Sequence, residues 1–177
     1  MRFKLSRFLL ALALICAGLF GTSSILPTNL QAANKETIFA RVVGISDGDT
    51  VTVLAEGNKR IKIRLQGIDA PERSQAFGMR SRQNLAKMIF GKNIQIKSQG
   101  LDKYQRTLGT IILDDEDINE QQIKDGFAWF YRRYEKDLTP EQAARYEEAE
   151  TDAKNNQRGL WADANPTPPW DYRKKNK

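Results

Sequence analysis

The 177 residues contain no histidine, and their one cysteine is Cys16. The first absence removes Ser-His-Asp triads, imidazole general bases and His-ligated metals. The second removes cysteine-ligated zinc and, once the N-terminal segment is cut away, any thiolate nucleophile. What remains for chemistry is carboxylates, arginine, lysine, tyrosine and a hard cation bound through oxygen.

Long apolar runs are also scarce. The one clear case is "FLLALALICAGLF", Phe8 to Phe20, which follows Arg2, Lys4 and Arg7. A basic start, a short apolar stretch and then small residues form the layout of a secretory signal peptide. The run is shorter than the roughly 20 residues that a membrane span needs. Cleavage is expected after Ala32, with Leu30 and Ala32 at the recognition positions; an uncleaved anchor is the alternative. Ile15 stands before Cys16 where a lipoprotein signal wants a small residue. The expected location is therefore secreted or in the cell envelope or periplasm. Residues 1–32 hold three of the 28 Lys+Arg and none of the 22 Asp+Glu, so the remaining 145 residues carry 25 against 22, or +3. That length supports one hydrophobic core. The charge is too modest to identify a nucleic-acid partner alone.

The expected organisation is a leader over 1–32, a short tether over 33–37, one domain over 38–162, and a Pro-rich then basic tail over 163–177 that reads as extended or mobile. Ile38 to Asp47 and Thr50 to Gly57 are β-branched runs separated by Asp47-Gly48-Asp49, and Arg60 to Ile68 follows with Ile61, Ile63 and Leu65 alternating. Pro71 is expected to open a helix, with Met79, Leu85, Met88 and Ile89 on its apolar side and Gly91 past its end. Two more strands are expected over Asn93 to Gly100 and Thr107 to Asp115. Two further helices are expected, one over Ile118 to Phe130 stopped near Gly126, the other over Thr139 to Trp161 with Thr139 as N-cap. Five strands with a helix after the third predict an α+β, mainly β chain: a five-stranded OB-type barrel with three helices. No internal repeat is visible.

An antiparallel meander brings the start of the second strand beside the end of the third. Asp49 and Asp69 should therefore converge, and two or three acidic oxygens with a main-chain carbonyl suit Ca²⁺ or Mg²⁺. Taken alone, Asp47-Gly48-Asp49 is ordinary turn chemistry, and Glu72 is an ordinary first-turn helix residue. Arg64 shares a face with Arg60 and Lys62, so it belongs either to a solvated stripe or to the acidic end. The loop with Asp102, Lys103, Tyr104 and Arg106 presents cations and a ring, which are either merely solvated or aimed at phosphate and base. In "GFAWFYRRY", Phe127, Trp129 and Phe130 suit the core, while Tyr131 and Tyr134 suit the border of a nucleic-acid groove. Together the parts suit attack on a phosphodiester: a cation at the phosphate, two guanidiniums for the developing charge, and Glu72 for the water.

"SDGDTVTV", "IRLQGIDAPE", "DKYQRTLGTI", "INEQQIKDGFAWFYRRY" and "NQRGLW" stand in the order seen in the thermonuclease (staphylococcal or micrococcal nuclease) family, which the chain resembles from about Phe39 to Trp161. The resemblance implies an OB-type barrel with three helices and Ca²⁺-dependent hydrolysis of DNA and RNA that leaves 3′-phosphate ends. It implies metal ligation by Asp49 and Asp69, phosphate binding by Arg64 and Arg106, and a catalytic role for Glu72. Ala70 stands where the founding type has a threonine whose main-chain carbonyl binds the metal; the carbonyl is kept and the hydroxyl is lost. Asp47 matches an outer acidic position. Lys103 and Tyr104 match residues near the terminal phosphate, and Tyr131 or Tyr134 falls near the base-stacking position.

The expected partner is single-stranded or locally melted DNA or RNA, with no obligate protein partner and a monomeric state. The alternative is a non-catalytic OB-type nucleic-acid-binding module, which should lack several of the five residues Asp49, Arg64, Asp69, Glu72 and Arg106. A structural or protein-binding envelope domain has only the leader and tail in its favour.

Overall fold

The computed structural model describes residues 36–176. The chain divides into two units, Met1–Leu30 and Gln31–Lys177, and the description concerns the second. The expected leader lies outside the described residues, as does most of the tether. No helix among the described residues is long and apolar enough to cross a membrane.

Five strands form the barrel: β1 Thr37–Ile45, β2 Thr50–Ala55, β3 Lys59–Leu65, β4 Asn93–Leu101 and β5 Thr107–Leu113. The first three make an antiparallel meander, β4 pairs with β1, and β5 pairs with β4. The barrel closes through a parallel pairing of β3 with β5, Ile63 opposite Thr107 and Leu65 opposite Gly109. Strong curvature is needed to close so few strands, and register shifts at Val42/Gly44 and Ser98/Gly100 supply bends of the kind bulges give. Alternation along each strand sends Val42, Val51, Val53, Ile63, Leu65, Ile94, Ile96 and Ile111 into one core.

The helices differ from expectation in instructive ways. Helix α1 spans Gly78–Ile89 and does not begin at Pro71. Residues 71–77 form turns instead: Gln75 N–H donates to the Glu72 carbonyl, Gly78 N–H donates to the Gln75 carbonyl, and Phe77 sits at φ 65. A side chain at position 78 would run into the Glu72 carbonyl. The buried stripe of α1 is Gly78, Ser81, Leu85 and Ile89, and Met79 is exposed. Helix α2 spans Ile118–Lys124 and is capped by Asp117, whose carboxylate accepts from Glu120 N–H at 3.1 Å. Beyond it, Trp129 and Phe130 pair with Asp69 and Ile68 as a two-residue antiparallel bridge. Helix α3 spans Pro140–Asn155, with Thr139 as its cap. It stops short of Trp161 because the chain turns at Gln157 and Gly159, both at positive φ, into a short 3₁₀ segment, Gly159–Ala162.

The tail is the largest departure. Pro169–Lys175 is a fourth helix, α4, opened by Pro169 at its first turn. It is fastened by named contacts. Trp170 stacks on Tyr131 with ring centroids 5.2 Å apart, Tyr172 hydrogen-bonds Ser74 at 3.1 Å, and Gln75 donates to the Thr167 carbonyl at 2.6 Å. The expected extended or mobile tail is thus replaced by a docked helix.

Two polar knots join the helices to the barrel. Buried Asn119 donates to the Gln66 and Gly109 carbonyls and accepts from Ile111 N–H, which ties the exit of β3 to β5. Fully buried Tyr146 donates to the Asp117 carboxylate at 3.1 Å and accepts from Gln142 at 3.1 Å. Burial pushes the Asp117 carboxyl above its ordinary value, and the bonds from Glu120 N–H, Tyr146 and Gln142 oppose that rise. Removing the phenol hydroxyl leaves Asp117 short of a donor. Tyr146→Phe should therefore destabilise the fold by about 1–2 kcal/mol in urea denaturation; unchanged stability would show that the pair is neutral.

Candidate active site

The meander places Thr50 opposite Arg64. Asp49 enters from the turn before β2, and Asp69 enters from the bridge that follows β3. Their carboxylates meet at one nitrogen: Arg64 Nη2 lies 3.1 Å from Asp49 Oδ2 and 3.1 Å from Asp69 Oδ1. The other terminal nitrogen, Nη1, donates to the Leu65 and Ile68 carbonyls at 2.7 and 2.9 Å. Arg60 and Lys62 are exposed, whereas the Arg64 side chain is only 13% exposed. Arg64 therefore does not belong to the solvated stripe.

The turn that delivers Asp49 is held by residues that pattern reading passed over. Gln122 is buried on α2, and its amide donates to the Gly48 carbonyl, the Ser81 carbonyl and Ser81 Oγ. Ser81 in turn donates to the Phe127 carbonyl. A side chain on Gly48 would collide with Ser81 Oγ and press on Ala70. Gln122 and Ser81 occupy positions in the inward stripes of α2 and α1, and a polar residue in an apolar stripe was the available signal.

Asp49 also accepts from Thr50 Oγ1 at 2.9 Å and from Ala70 N–H at 2.8 Å. Ala70 thus orients Asp49 through its amide. Asp47 accepts from Asp49 N–H at 3.1 Å. Asp69 is 1% exposed and is also met by Arg173 from α4, at 2.7 Å to Oδ2 and 3.2 Å to Oδ1. The same guanidinium reaches Glu72 Oε1 at 2.8 Å. Burial pushes the Asp69 carboxyl up, and the Arg173 hydrogen bonds pull against it. The bonds to Asp69, then Glu72, raise the Arg173 guanidinium further above its ordinary range.

Arg106 approaches from the loop between β4 and β5. Asp102 fixes it through Nε and Nη2, each at 2.7 Å, and itself accepts from the main-chain N–H groups of Tyr104 and Arg106. Lys103 and Arg106 lie over the Tyr104 ring at 4.9 and 5.4 Å from its centroid. All these groups border one cleft of about 590 Å³, whose walls also include Tyr131, Arg133 and Tyr134. Tyr104 and Tyr134 are exposed at 66% and 46%, whereas Tyr131 has Trp170 stacked on it. A more open hollow of about 680 Å³, walled by Phe39, Leu54 and Leu113, also holds Arg41, Glu56, Asp114 and Asp115. No ion pair joins those four among the described residues, so the first cleft is the one built for chemistry.

The donor set suits a hard divalent cation. The cleft is lined by six carboxylates, Asp47, Asp49, Asp69, Glu72, Asp102 and Asp137, and by five cationic side chains, Arg64, Lys103, Arg106, Arg133 and Arg173. Asp49, Asp69 and Glu72 are gathered around Arg64 and Arg173, where a hard cation would offset their mutual repulsion. A carboxylate offers about four acceptor positions. The hydrogen bonds and ion pairs above use three on Asp49 and three on Asp69, which leaves one position on each for a cation. No group of three acidic side chains forms a complete metal cage among the described residues. The remaining positions would fall to the main chain and water.

The chain matches the family model described as staphylococcal nuclease homologue over residues 62–163. It is 43% identical over 150 residues to a Haemophilus influenzae protein described as an uncharacterized endonuclease, covering 85% of this chain and 81% of that one. It is 40% identical over 145 residues to a micrococcal nuclease of Shigella flexneri, covering 77% and 80%. A probable staphylococcal-like nuclease of rice is 40% identical over 134 residues, covering 76% of this chain and 32% of the plant protein.

The burial of neighbouring carboxylates has a measurable consequence. Burial first, and then the charge of Asp49, push the Asp47 carboxyl up to about 7. A carboxyl held above its unfolded value favours the fold when protonated, and that contribution is lost as pH rises from about 4 through about 7. In chelator, Asp47→Asn should raise Tm over the unaltered protein at pH 8, and the gain should shrink toward zero by pH 4. A gain independent of pH would contradict this electrostatic account.

Proposed function

From the premise that the chain belongs to the staphylococcal nuclease family, and is a hydrolase of phosphodiester bonds, we propose that it is a calcium-dependent endonuclease of single-stranded or locally melted DNA and RNA, leaving 3′-phosphate ends. The observation that carries this reading is the meeting of two aspartates, two guanidiniums and a glutamate with one unengaged oxygen in a single cleft. Asp49, Asp69 and the Ala70 carbonyl would hold the ion. Bound there, it supplies positive charge that polarises a phosphate oxygen.

The protein's own groups do the rest. Arg106, fixed by Asp102, directs its guanidinium at the phosphate and stabilises the charge that develops on its oxygens. Arg64 keeps the two aspartates together and adds positive potential from below. Among the described residues, Glu72 Oε1 is engaged by Arg173 and Oε2 has no hydrogen bond. Oε2 accepts a proton from water as the water oxygen bonds to phosphorus. The bond from phosphorus to the 5′ oxygen breaks, and that oxygen takes up a proton from solvent. Lys103 lies beside the phosphate path, and exposed Tyr104 and Tyr134 offer faces to bases, which suits unpaired strands. Backbone-directed contacts make binding salt-sensitive and tolerant of sequence. A secreted or envelope location follows from the expected leader.

A non-catalytic binding module is disfavoured because all five chemistry-bearing residues are present and four of them form one bonded or ion-paired network. The test is incubation of the protein with end-labelled single-stranded DNA in calcium and then in chelator. Cleavage should appear with calcium and vanish with chelator. Binding without cleavage under any divalent ion would establish the binding module instead. Arg106→Ala should lower kcat about 100-fold while divalent-ion affinity stays unchanged, since it touches neither aspartate. Unaltered turnover would remove Arg106 from the chemistry.

A further inference from the structure

Among the described residues, Arg173 of the C-terminal helix is the one side chain that touches both Asp69 and Glu72. Arg173 forks onto both oxygens of Asp69 and donates to Oε1 of Glu72 at 2.8 Å. The helix is anchored by other contacts as well. Trp170 on Tyr131, Tyr172 on Ser74, buried Pro169 and the Gln75 bond to the Thr167 carbonyl already hold α4 in place. Trp170 and Arg173 stand three apart, so they share one face of α4. That face sets the ring against Tyr131, a wall residue of the cleft, and brings the guanidinium into the cleft lining.

Glu72 needs such a partner. It leaves the barrel in an irregular stretch, with no helix to hold it, and its side chain is 37% exposed. An exposed glutamate samples many rotamers. The Arg173 fork removes that freedom, because Asp69 is buried and fixed and the planar guanidinium spans from it to Glu72. With Oε1 engaged, Oε2 is the oxygen left to meet water. We infer that Arg173 is a positioning residue of the active site: it clamps Glu72 to Asp69, so that the C-terminal helix completes the site that the barrel leaves open. This rests on the water-activating role given to Glu72 above.

The clamp is tested with the full chain as a double-mutant cycle on single-stranded DNA cleavage, using Arg173→Gln, Glu72→Gln and the double variant. Arg173→Gln should lower kcat about tenfold or more with KM changed by less than about twofold. The double variant should be no slower than Glu72→Gln alone, because Arg173 acts through that residue. Calorimetry should show tighter divalent-ion binding in Arg173→Gln, where one competing positive charge is gone, and near-unaltered affinity in Arg173→Lys. The lysine variant should not recover kcat, since an ammonium lacks the fork.

An unchanged or raised kcat in Arg173→Gln overturns the clamp, as does a raised KM with kcat intact, which would make Arg173 a phosphate contact. Additive losses in the double variant overturn it too, and this reading holds even if the helix undocks. Unaltered turnover in Glu72→Gln would sink the role of Glu72 itself. A slow Glu72→Gln beside a normal Arg173→Gln would sink the clamp alone.

Discussion

One guanidinium decides where everything else in the cleft can stand. Arg64 is drawn inward at the end of β3, its terminal nitrogens shared between two carbonyls and two carboxylates. Asp49 and Asp69 come from separate turns, and like charges so close would repel without a cation between them. With Arg64 there, the turn before β2 and the bridge after β3 are drawn together. The structure spends much of its polar bonding to keep that meeting rigid: Gln122 and Ser81 on one side, Ala70 N–H and Thr50 on the other. Asp47, beside that meeting, is pushed up to about 7, first by burial and then by the charge of Asp49. The acceptor position left on each aspartate is the physical reason for proposing a cation at the site.

Absence of histidine and, in the domain, of cysteine shapes the chemistry more than it limits it. A site without imidazole must place its proton acceptor by geometry, because a carboxylate's ordinary affinity for protons is low. In the proposed mechanism Glu72 meets that need, with Oε1 engaged by Arg173 and Oε2 left for water. The guanidiniums divide the remaining work. Arg64 is committed to the aspartates, whereas Arg106 is braced by Asp102 at the cleft wall and is better placed for a phosphate.

Much of this was legible in the chain. Alternation in β3 separated Ile61, Ile63 and Leu65 from Arg60, Lys62 and Arg64, and meander geometry alone put Asp49 beside Asp69. The barrel and the cap residues Thr139 and Gly126 follow from local chemistry. Other features depend on contacts that no local pattern carries. Pro71 looks like a helix start, yet the left-handed Phe77 and the close approach of Gly78 to the Glu72 carbonyl hold the helix back to Gly78. The tail reads as mobile on composition, yet Pro169 followed by Trp170 and Arg173 at helical spacing was a signal for a docked helix. Arg173 itself becomes meaningful only when a segment about 100 residues away in sequence presents Asp69 and Glu72 to it.

The central claim is that the meeting point of Asp49 and Asp69 is a site for one divalent cation, with Arg64 holding the two carboxylates in register. Isothermal calorimetry of calcium binding to the unaltered protein and to Asp49→Asn and Asp69→Asn tests it most directly, with circular dichroism to verify that each variant is folded. The account predicts one ion per chain, with affinity lowered at least about tenfold in either folded variant. Equal affinity in all three proteins would contradict it and place the cation elsewhere.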